Sequence, residues 1–63
     1  MKFENRRFQL IVDNKIILQY AIYKHIQEKV KVSIREQLMN LNVNQTFECP
    51  IYLGQTCKII RIK

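Results

Sequence analysis

One histidine, two cysteines and five carboxylates are the side chains of this 63-residue chain that most readily serve acid–base or metal chemistry. His25 stands among Ala21, Ile22 and Ile26, where it reads as a partly buried boundary histidine and not as a general base. Cys49 and Cys57 lack the Cys-x-x-Cys spacing of zinc and redox sites. With His25 they supply at most three ligands of those types. Glu4, Asp13, Glu28, Glu36 and Glu48 are scattered, and each has a structural task open to it as a cap, a helix pair or a strand pair. Gly54 is the one glycine, so no glycine-rich loop exists to cradle a phosphate. The residues therefore predict no catalytic site, no metal and no cofactor, and a protein that is not an enzyme.

The cations carry more information. Eleven Lys and Arg against five Asp and Glu give a formal charge of +6, a field that polyanions feel. Between Glu36 and Cys57 there are none. Eight are candidates for phosphate contact: Arg6 and Arg7 before the first expected strand, Lys29 and Lys31 at the joint between two expected helices, Arg35 in the first turn of the second helix, and Lys58, Arg61 and Lys63 on the last strand. Gathered on one side, they make a phosphate-binding surface. Scattered, they only keep a small apolar body soluble. Tyr20, Tyr23 and Tyr52 can stack on unpaired bases, and they suit equally well a boundary position with a wet hydroxyl. The first expectation is a nucleic-acid-binding protein, for DNA before RNA, acting as a regulator or accessory factor. The rival is a protein-interaction or inhibitor module that docks through an apolar surface or a sheet edge. Its support is the apolar, nearly uncharged stretch from Gln37 to Thr56, with Phe47, Pro50 and Tyr52.

Length bounds the elements that must position these groups. One small domain is expected, and a chain this short buries only about 60% of its unfolded surface. With 48% hydrophobic residues it is core-forming, and an apolar surplus on so small a body makes a homodimer plausible. Two cysteines are too few for a disulfide scaffold. The segment Met1–Arg7 has no apolar signal-peptide core, and no apolar run is long enough to span a bilayer. Asn44-Gln45-Thr46 matches the glycosylation sequon by chance on this reading. The expected compartment is the reducing cytoplasm, with no membrane partner.

The expected fold class is α+β: an N-terminal strand, two helices and a C-terminal β-hairpin. Phe8–Val12 reads as the strand, ending in turn chemistry at Asp13-Asn14. Ile16 to Val30 carries two patterns. Ile17, Ala21, Ile22, His25, Ile26 and Val30 fit a helix, the assignment that length favours, while Ile16, Leu18, Tyr20 and Ile22 alternate as in a strand. The second pattern makes residues 8–22 a hairpin. Ser33 and Glu36 form a capping box that starts a helix running to Leu41-Asn42, with Ile34, Leu38 and Leu41 on one face. Thr46–Leu53 and Thr56–Lys63 flank Gly54-Gln55 as a hairpin with a type II′ turn. That register sets Phe47 against Ile62 and Glu48 against Arg61. It turns Phe47, Cys49, Ile51, Leu53, Ile60 and Ile62 to the core, and it points Cys49 and Cys57 to opposite faces, so that they are not expected to bond to each other. Pro50 cannot donate to a ladder, which puts its strand at an edge or turns its missing N–H away from the partner.

Val32–Asn44 resembles the first helix and turn of a helix-turn-helix, and with a following hairpin it is similar to a small winged-helix domain. It departs in the short spacing from Leu38 to Leu41 and in Pro50, which breaks a recognition helix starting at Gln45. A strand followed by two helices, with Arg7, Gln9 and Ile11 on one strand face, also resembles the ribbon-helix-helix. That resemblance implies a strand shared across a dimer and laid in the major groove. Neither assigns the chain to a family.

Overall fold

Asp13 and Asn14 hold φ at 51° and 66°, and this sharp left-handed pair decides the first half of the chain. A two-residue loop with both central φ positive matches the right-handed twist of its flanking strands, so it closes a hairpin. In the computed structural model, which describes residues 3–30, 33–49 and 56–63, β1 (Phe8–Val12) therefore turns straight into β2 (Lys15–Ala21). The helix expected from Ile16 is corrected to a strand over its first part. Helix α1 spans only Tyr23–Val30. Helix α2 (Arg35–Met39), β3 (Thr46–Cys49) and β4 (Cys57–Arg61) follow, and a short 3₁₀ turn covers Phe3–Asn5. The fold is a small α+β body with one four-stranded antiparallel sheet in the order β2-β1-β4-β3.

The core forms on one face of that sheet. Phe8, Leu10 and Val12 alternate inward along β1, and Ile59 and Cys57 stand opposite Leu10 and Val12 on β4. Ile26 and Val30 of α1, Ile34, Leu38 of α2, and Leu41 pack into the same cluster. Both helices therefore cover the same side. Gln9 and Ile11 point to the other side, opposite Ile60 and Lys58.

Three local expectations give way. The capping box does not form: Ile34 is the N-cap of α2 without a side-chain cap bond. Its amide donates instead to Gln27 Oε1 across from α1, at 3.4 Å. Ile34 is buried in the core, and anchoring that side chain moves the helix start one residue past Ser33. The helix also ends earlier, with Asn40 as its C-cap. Second, His25 is exposed on α1, not a boundary residue. Third, the β3–β4 register differs. Phe47 faces Ile59 where Ile62 was expected, a slip of three residues. An odd slip exchanges faces. Ile59 and Cys57 enter the core in place of Ile60 and Ile62, Glu48 meets Lys58 instead of Arg61, and Cys49 lies directly opposite Cys57. The expected Gly54-Gln55 turn, Ile51, Leu53 and Pro50 fall outside the described residues, while β3 does lie at a sheet edge.

The resemblances fail on topology. β3 begins at Thr46, where a recognition helix was required. β1 is interior, paired with β2 on one side and β4 on the other, so no edge of it is left to join a dimer partner.

The turn makes a direct test. Asn tolerates positive φ, Gly prefers it and β-branched residues resist it. Asn14→Gly is expected to leave stability unchanged or raise it by a few tenths of a kcal/mol, and Asn14→Val to lower it by about 1–2 kcal/mol. Urea unfolding of the two variants measures both.

Candidate functional site

The arginines are engaged within the fold. Arg6 sends Nη1 to the carbonyl oxygens of Met39 (2.7 Å) and Leu38 (3.4 Å) at the end of α2, the latter also accepting from the Leu41 amide at 3.3 Å. Its guanidinium also lies 5.4 Å from the Phe3 ring centre. Arg61 donates through Nη1 to the Leu41 carbonyl at 2.8 Å and through Nε to that of Lys63 at 3.1 Å. These two side chains tie the strands to the turn after α2. Arg35 rests over Phe3 at 5.0 Å and over Tyr23 at 5.7 Å. Phe3 and Tyr23 are themselves in tilted contact at 5.2 Å, so Arg35 covers an aromatic pair. A cleft of about 180 Å³ borders this cluster, lined by Phe3, Glu4, Ile22, Tyr23, Lys24 and Arg35. It is smaller than the roughly 300 Å³ at which small-molecule pockets begin.

The seven phosphate-contact candidates among the described residues do not meet on one surface. Lys29 sits exposed on α1, on the helical side of the sheet, with Arg35 at the start of α2. Lys58 is on the opposite side, facing Ile11 and Glu48 across its two ladders. Arg7 bonds through Nη1 to the Glu4 and Arg6 carbonyls and lies 5.6 Å over the Tyr20 ring. Arg6 and Arg61 are committed to carbonyls, Lys63 is exposed at the chain's last position, and Lys31 lies outside the described residues.

The arrangement instead uncovers an apolar surface. β2 is an outer strand whose pairing with β1 shifts twice, between Phe8 and Leu10 and between Leu10 and Ile11. Each shift is a bulge that sets extra β2 residues against β1 and re-aims their side chains. Leu18 and Ala21 still turn to the core. Ile16, Ile17 and Tyr20 are left 55%, 47% and 58% exposed. Ile16 pairs with Ile11, which belongs to the uncovered face with Gln9 and Ile60. Among the described residues no helix covers that face. Of the expected apolar docking stretch, Gln37–Thr56, Leu38, Leu41 and Cys49 are core, Phe47 packs against it, Met39 and Val43 are exposed, and Pro50 and Tyr52 fall outside the described residues. The signal for the β2 surface was present as the uninterrupted Ile16-Ile17-Leu18, but helical periodicity hid it.

Cys49 and Cys57 are buried thiols not joined in a disulfide. Burial, reinforced by the neighbouring Cys49 and its hydrogen bond, pushes Cys57 up to about 12. Among the described residues no group of three or more His, Cys, Asp or Glu gathers as a metal site, and no helix is long and apolar enough to cross a membrane. The chain matches no family model, no curated protein and no solved structure.

Two outcomes follow. Arg6→Gln should lower unfolding free energy by about 1 kcal/mol, because the Met39 carbonyl at the end of α2 loses the guanidinium donor; denaturant titration reads this. Raising Cys57 above its ordinary value of 9.0 favours the protonated form in the folded state. That contribution is complete below about pH 9 and is lost as pH rises toward about 12. The stability of the wild type should therefore fall more steeply than that of Cys57→Ala across this window, as measured by urea midpoints at each pH.

Proposed function

We propose that this protein is a non-catalytic interaction module that docks on an acidic protein surface through the uncovered face of its sheet. The carrying observation is the exposure of Ile16, Ile17 and Tyr20 along β2, with Ile16 paired to Ile11 on the side away from the helices and Tyr20 under Arg7. The open face of an antiparallel sheet is ordinarily polar, and a contiguous apolar one marks an interface. Arg7 over Tyr20 and Lys58 beside Ile11 add positive charge at this patch. Tyrosine and arginine are the side chains that most often anchor interface hot spots. A charge of +6 on each copy disfavours a second copy as the occupant and favours an acidic partner. The proposed compartment is the reducing cytoplasm, supported by a cysteine content too low for a disulfide scaffold.

A nucleic-acid ligand, with the protein as a small regulator, is the second reading. It is favoured by Tyr20 and Arg7 on the same face, a ring for a base beside a cation for a phosphate. Its footprint is narrower than the eight-residue set, because Lys29 and Arg35 lie on the other side of the sheet from Lys58.

Wild type and an Ile16→Lys/Tyr20→Lys double variant, used as baits in extract of the native host, separate the alternatives. The protein captured by the wild type is then purified and its Kd measured against both. A loss of about thirtyfold or more in the variant supports protein docking, while unchanged affinity overturns it. Labelled single-stranded and duplex oligonucleotides form the second arm. Binding that falls steeply between low and moderate salt, and that Tyr20→Ala weakens, establishes the second reading instead. Sedimentation of the wild type as a dimer, with the variant monomeric, assigns the face to a second copy and also overturns the proposal.

A further inference from the structure

Cys49 and Cys57 are direct cross-strand partners at the end of the β3–β4 ladder, both on the core face and only 6% and 2% exposed. Directly opposed residues of an antiparallel pair stand about 4.5–5.5 Å apart at Cα. That lies within the range a disulfide spans, about 4.4–6.8 Å. The two thiols already interact through a hydrogen bond. The register thus meets the geometric requirement without moving either strand.

We propose that Cys49 and Cys57 form an oxidisable dithiol site that closes to an intramolecular disulfide by exchange with a low-molecular-weight disulfide. One cysteine, as thiolate, attacks a sulfur of the small disulfide. A protein–small-molecule S–S bond forms, the original S–S bond breaks, and one small thiol leaves. The second cysteine, deprotonated, attacks the protein sulfur of that mixed bond. The protein disulfide forms and a second small thiol leaves. The two cysteines lose two electrons and two protons in total, and the small disulfide gains them as two thiols. The product pins β3, an outer strand, to β4 and closes a ring over residues 49–57.

Burial and the raised Cys57 slow the first attack, since only thiolate reacts and solvent reaches neither sulfur freely. The reaction is therefore expected to accelerate by close to tenfold per pH unit around neutrality. The pair sits at the β3 side of the sheet, and the proposed docking surface lies at the β2 side. The two proposals fail independently: binding through Ile16 and Tyr20 is expected to be the same in the reduced and oxidised proteins.

The test uses the full chain with oxidised glutathione in excess, followed by intact mass and thiol counting. The expected product is a monomer lighter by two hydrogen atoms with no free thiol. Cys49→Ser and Cys57→Ser should each stop at a glutathione adduct. The oxidised wild type should melt roughly 20 °C higher than the reduced form, the size expected for closing a nine-residue ring in so small a protein. Two retained adducts, a disulfide-linked dimer, persistence of both thiols, or a melting temperature that falls on oxidation would each overturn the proposal.

Discussion

Everything in this fold depends on the ladder between β1 and β4. Phe8 to Val12 pair with Arg61 to Cys57, so the beginning and end of the chain form the centre of the sheet. This contact spans most of the sequence, and its loop-closure cost must be met by apolar burial. Phe8, Leu10, Ile59 and Cys57 supply that burial on one face, and Ile26, Val30, Ile34 and Leu38 complete it from the helices. A small chain has enough apolar side chains and helix length to cover one face of four strands. Among the described residues no helix covers the second face, and the two sides of the sheet differ for that reason.

The same shortage explains the arginines. Helix α2 has only five residues, and its last carbonyls need donors that a longer helix or a glycine cap would provide. Backbone amides serve the Glu36 and Leu38 carbonyls, Arg6 serves that of Met39, and Arg61 does the same for Leu41 just beyond. Guanidinium groups suit this work because they offer several donors in a fixed plane and stay charged. Part of the formal charge is thus engaged in holding loops to strands. Net charge read from composition counts these groups as free.

Much of the scaffold was legible. The alternation in Phe8–Val12, the turn chemistry of Asp13-Asn14 and the two final strands all act through adjacent residues, and these local signals appear in the structure. Residues 16–22 were ambiguous because isoleucine, leucine and tyrosine fit either period. The decision came from the left-handed pair at Asp13 and Asn14, which commits the next residues to pair with β1. Of the candidate surface, the residue types were visible but their side of the sheet was not. Bulges in β2 shift facing by one position each, and no residue in Lys15–Ala21 announces them.

The sequence alone determined which residue types are available for chemistry, the apolar supply for a single core, and the turn at Asp13-Asn14. These are properties of residue type and near-neighbour spacing. Only the tertiary structure decided which face of each strand is buried, because facing depends on register and register on long-range pairing. A slip of three residues between β3 and β4 brought the cysteines together and exchanged Ile60 for Ile59 in the core. It is also the three-dimensional packing that separated Lys58 from Lys29 and Arg35, since a sheet one residue thick divides cations that the chain carries in common.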